Sequence, residues 1–91
     1  MDYRIWKYEL ELSSIQAIEM PVGAEILSVG NQEGILAIWA MVDATGDKEQ
    51  RYIEIIGTGD QVPTGMGVDH KFIGTVLMSP FVWHVFERTG I

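Results

Sequence analysis

The sequence predicts an all-β protein, a small antiparallel sandwich or open barrel of six or seven strands. Apolar and polar residues alternate with period two along most of the chain. Turn-forming clusters built on glycine, proline, serine and aspartate recur every ~8–12 residues, the rhythm of short strands in an antiparallel domain. Two runs, Ile35–Val42 and Phe81–Phe86, are apolar on both faces apart from His84, as suits strands covered on both sides.

Tyr3–Leu12 opens the chain as a strand with one buried face, because Trp6, Tyr8, Leu10 and Leu12 alternate with Lys7, Glu9 and Glu11. Ser13-Ser14 interrupts it. Ile15–Met20 reads as a short strand, since Ile15, Ala17 and Ile18 are too few to sustain a helix. Pro21-Val22-Gly23 turns the chain into a strand over Ala24–Val29, and Gly30-Asn31-Gln32-Glu33-Gly34 is a hairpin signal. The returning strand Ile35–Val42 takes a central place and ends at the turn Asp43–Asp47. Arg51–Ile56 alternates again, with Tyr52, Glu54 and Ile56 on one side and Arg51, Ile53 and Ile55 on the other. Lys71–Met78 and Phe81–Arg88 pair across Ser79-Pro80, and Thr89-Gly90-Ile91 reads as a frayed tail.

At 91 residues the chain is read as one domain, residues 1–91. It has no cysteine, hence no disulfide and no thiolate metal site. Small β domains without such staples gain stability by association, so a homo-oligomer is expected. The net charge is −7, and residues 1–45 hold seven of the thirteen acids but two of the six bases. That balance opposes direct binding to nucleic-acid phosphates, which depends on Lys and Arg, and suits solubility or a basic protein partner. No apolar run approaches the ~18–20 residues of a membrane span. Met1–Trp6 lacks the features of a signal peptide. The expected location is the cytoplasm, away from membranes.

The segment Ile56–His70 stands out, with four glycines and a proline between two strands. Gly57, Thr58, Gly59 and Asp60 are candidates for ligand contact, either as a nest of backbone N–H groups or as a connector with glycines at positive φ. Neither the dinucleotide nor the P-loop pattern is met. Met66, like Val68, is an apolar loop residue suited to a partner surface, a lid, or packing over the end of the sheet. Asp69 and His70 form an Asp–His couple at the loop's end, readable as a general base or as loop polarity; no nucleophile accompanies it. His84 is expected to be half-buried and hydrogen-bonded across strands. Glu9 and Glu11 share a strand face and read as solvated. No histidine spacing of a metal site occurs, and no cofactor is expected. Trp6 and Tyr8 are candidates for a recognition pocket or an oligomer interface, the alternative being core.

The ordered segments Ile5-Trp6-Lys7-Tyr8, Glu19–Val29, Leu36 with Trp39–Asp43, Gly57-Thr58-Gly59, Phe72–Thr75 and His84–Glu87 resemble a family of small uncharacterised bacteriophage and bacterial proteins of about this length. The likeness spans nearly the whole chain. It brings no catalytic residues; the connection after Gly-Thr-Gly, Gln61–Asp69, is longer here than is usual in that family. The resemblance implies a phage or prophage accessory protein in the host cytoplasm. The functional expectation is a non-enzymatic binding protein that antagonises a host defence factor by protein contact. The alternatives are an oligomer that sequesters a small nucleotide-like signalling ligand, with the Gly57–His70 loop closing on it, or a minor virion structural protein.

Overall fold

In the computed structural model, residues 1–63 and 69–90 are described, and they form two antiparallel sheets without any helix. The strands are β1 (Tyr3–Glu9), β2 (Ile15–Pro21), β3 (Glu25–Gln32), β4 (Ile35–Asp43), β5 (Lys48–Gly57), β6 (Asp69–Met78) and β7 (Phe81–Thr89). One sheet has the order β1-β4-β3, the other β2-β5-β7-β6. The sheets stack as a sandwich and do not close into a barrel, which resolves the two architectures the sequence allowed.

The core follows the period-two pattern. From β4, Leu36, Ile38, Ala40 and Val42 point inward; they meet Met20 of β2, Ile53 and Ile55 of β5, Val76 of β6 and Val85 of β7. Full burial of each such aliphatic side chain stabilises the fold by about 1.5–3 kcal/mol. The two runs that are apolar on both faces do occupy interior positions, β4 between β1 and β3, β7 between β5 and β6.

Some boundaries differ from the sequence pattern. β1 ends at Glu9; Leu10 is still buried, its N–H donating to the Leu36 carbonyl at 2.8 Å, but Leu12 is exposed. The β3–β4 turn is only Glu33-Gly34, both at positive φ (53° and 84°), the two-residue type I′ connection that matches strand twist. Gly30 therefore lies inside β3, where a Cβ would stand 3.5 Å from the Trp39 ring. Its missing side chain is filled by the indole of the neighbouring strand, which is why a glycine there mimics a turn signal. Thr89 is no frayed end but the last residue of β7, opposite Asp69.

Inside one end of the sandwich, Arg51 joins the sheets. Its guanidinium makes a two-pronged pair with Glu87, through Nε and through Nη2 at 3.0 Å, and donates from Nη1 to the Ala24 carbonyl at 2.8 Å. Hydrogen bonding to Glu87 raises the Arg51 pKa above its ordinary value.

Candidate functional site

The Gly57–Asp60 segment forms a tight corner at the end of β5. The Asp60 N–H donates to the Gly57 carbonyl at 3.0 Å, and Gly59 sits at φ 90°, a conformation only glycine adopts easily. The Thr58 N–H donates to the Val82 carbonyl at 3.1 Å. Two of the corner's N–H groups thus already have carbonyl acceptors. Gly57 is required by crowding: a Cβ would approach Asp60 Oδ2 to 2.7 Å and the Trp83 ring to 3.2 Å. The Thr58 hydroxyl lies 2.7 Å from His84 Nε2, while the Thr75 hydroxyl lies 3.0 Å from Nδ1. Neutral imidazole offers one donor and one acceptor, which two hydroxyls can match in either tautomer. His84 is half-buried and bonded across strands, as expected.

His70 departs from expectation. It belongs to β6, and so does Asp69; successive strand residues point to opposite faces, so no Asp69–His70 couple forms. The carboxylate that His70 meets is Glu54 of β5, with Nδ1 2.8 Å from Oε1. Glu54 Oε2 lies 3.6 Å from Arg88 Nη1, and the Glu54 side chain is almost wholly buried. The His70–Glu54 contact is close but not aligned as a hydrogen bond: neither atom has a hydrogen-bond partner among the described residues. The Phe86 ring meets those of His70 and Phe72 in edge-type arrangements, at centroid distances of 6.0 and 5.4 Å. The group lies on the outer face of the four-stranded sheet, since Tyr52, Glu54 and Ile56 alternate with the inward Ile53 and Ile55. Met66 lies outside the described residues.

Trp6 and Tyr8 face inward from β1 and pack, half-buried, against the core. Lys48 Nζ stands 5.1 Å from the Trp6 ring centroid, a cation–π arrangement. Burial raises the Tyr8 pKa, and its hydroxyl has no partner among the described residues. Tyr8 also lines a cleft between β1 and β2.

The outer face of the three-stranded sheet was not anticipated. Along β4, Ile35, Trp39 and Met41 point outward; Ile5 of β1 sits opposite Met41 and Tyr3 opposite Asp43. Tyr3, Ile5, Ile35 and Met41 are exposed, and so is Leu27, the extra residue of a bulge in β3. Glu9, Glu25 and Glu33 rim the face, while its one lysine, Lys7, donates to Gln32 Oε1 at 2.9 Å. The available signal was the odd positions of β1, whose Lys7 and Glu9 mask Tyr3 and Ile5 as members of a polar face.

Among the described residues no group of three or more His, Asp or Glu side chains is placed to hold a metal ion. Among the described residues no helix is long and apolar enough to cross a membrane. No curated protein and no solved structure matches the chain. A family model does match, described as Domain of unknown function (DUF7352), and it covers residues 1–90. The chain therefore belongs to the DUF7352 family.

Proposed function

We propose that the protein is a non-enzymatic binding protein that acts by protein–protein contact through the outer face of its three-stranded sheet. The observation that carries this reading is the exposure of Tyr3, Ile5, Ile35 and Met41 on one continuous sheet face. Contiguous exposed apolar surface with a polar rim is the usual mark of an interaction site. Carboxylates at Glu9, Glu25 and Glu33 favour a partner whose own rim is basic over a second copy of this acidic chain. The carboxylate nearest a histidine, Glu54, is buried beneath the half-buried His70 and Arg88 and not open to a substrate, which supports binding over catalysis.

On the resemblance to phage proteins, the proposed setting is an infected host's cytoplasm, with a host defence factor as the partner and the protein as its antagonist. Affinity capture from host lysate at moderate salt tests it. A stoichiometric partner retained by the wild type and lost by the Ile5→Lys/Met41→Lys variant is the expected result. No stoichiometric partner, or one retained equally by the variant, overturns the reading.

A further inference from the structure

The sandwich has two flanks, where an edge strand of one sheet approaches an edge strand of the other. On the first, β3 and β6 are in contact so close that a Cβ on Gly74 would stand 2.8 Å from Val29 Cγ1. On the second, β1 and β2 are each paired on one side only among the described residues. Between them opens a cleft of about 620 Å³, walled by Lys7–Glu9 with Glu11 on one side and by Gln16–Glu19 on the other.

The geometry points to this cleft as the seat of an added β-strand from a partner protein, an extended segment in which basic and apolar residues alternate. A strand edge is a row of unpaired N–H and C=O groups, and such rows accept a further strand through main-chain hydrogen bonds. Here two edges face the same opening. An inserted strand sends alternate side chains to opposite faces. Those directed inward meet Tyr8 and Ile18, which already pack half-buried against the core. Glu9, Glu11 and Glu19 line the cleft with Lys7 as its single cation. Glu9 lies on the outer side of β1 and Glu19 on the outer side of β2, so a strand added to either edge has a carboxylate beside its outward side chains. Three carboxylates to one ammonium select Lys or Arg on the incoming segment. A second copy of this chain, itself at −7, is the wrong occupant. The shielded Tyr8 hydroxyl, without a partner among the described residues, is one more donor that an entering backbone can satisfy. The inference is independent of the sheet-face reading, because an edge offers backbone groups and the face offers side chains.

The test is a seven-residue peptide of alternating Lys and Val titrated into ¹⁵N-labelled protein, with amide shifts and hydrogen exchange read residue by residue. Binding is expected to slow exchange of amides within Tyr3–Glu9 or Ile15–Pro21. The Glu9→Gln/Glu11→Gln/Glu19→Gln variant, its fold checked in the same spectra, should bind about tenfold more weakly, as three exposed ion pairs allow. A peptide N-methylated at alternate residues should not bind, and Ile5→Lys/Met41→Lys should leave affinity unchanged. The inference is overturned by no binding at millimolar peptide, by equal binding of the N-methylated peptide, or by slowed amides confined to other strands.

Discussion

At one patch of the four-stranded sheet's outer face an ionisable side chain is the buried one: Glu54 is 1% exposed and lies against the half-buried His70 and Arg88. On the outer face of the three-stranded sheet, the apolar side chains are the exposed ones, Tyr3 at 64% and Ile5 at 63%. Both faces are solvent-side layers of the same sandwich, so position in the fold does not explain the inversion. Neighbours do. Glu54 stands among long and aromatic residues, His70, Phe86 and Arg88, which shield it. Ile5 and Met41 face each other with Tyr3, Lys7 and Trp39 beside them, and none of these closes over them. The Glu54 patch is covered by its own neighbours, whereas the apolar residues of the three-stranded sheet, like Ile15, Phe72 and Leu77 elsewhere on the other face, are left to solvent.

The largest test of this contrast removes the acid. Glu54→Ala leaves His70 and Arg88 without their buried carboxylate and should cost about 3–5 kcal/mol, read by urea denaturation; an unchanged midpoint would mean the cluster contributes nothing. Gly74→Val forces a side chain against Val29 on the closed flank, where overpacking costs about 1–3 kcal/mol. Adding Val29→Ala should recover part of that loss, and failure to do so would separate the two residues energetically. His84→Ala, which deletes both threonine contacts, should cost about 1–2 kcal/mol, with thermal unfolding as the readout.

On the exposed face, Ile5→Lys and Met41→Lys should each change stability by no more than about 0.5 kcal/mol while abolishing partner capture. A large destabilisation would show that the face supports the fold. The smallest effect belongs to the turn after β4. Asp43 accepts from the Thr45 hydroxyl at 2.7 Å and from the Asp2 and Thr45 N–H groups, which lower its pKa. A lowered folded-state value means its contribution is present above the unfolded carboxylate pKa of about 3.9 and is lost as pH falls through the folded one. Carbon-detected titration should find its midpoint below that of an ordinary aspartate.

Much of the architecture was legible from residue order because period two writes strand faces directly. Period two puts Trp6 and Tyr8 on the inner face of β1 with the buried Leu10 just beyond it, and the apolar runs mark β4 and β7 as interior strands. What escaped depends on pairings distant in the chain. Asp69 and His70 looked like a couple because they are adjacent, yet adjacency in a strand separates side chains; the true neighbour, Glu54, is two strands away in the sheet. Glu54 reads from sequence only as one member of an alternating face with Tyr52 and Ile56, since nothing local announces His70 and Arg88. The recognition candidates on β1, Trp6 and Tyr8, pack inward, leaving Tyr3 and Ile5 outside.

Gly57-Thr58-Gly59-Asp60 has a practical consequence for engineering. Its turn closes on itself, its threonine is held by His84, and its first glycine admits Trp83, so this corner is complete before position 61. A reporter tag or foreign epitope spliced immediately after Gln61 would begin from a clamped stem, leaving the β5–β7 ladder to fold undisturbed.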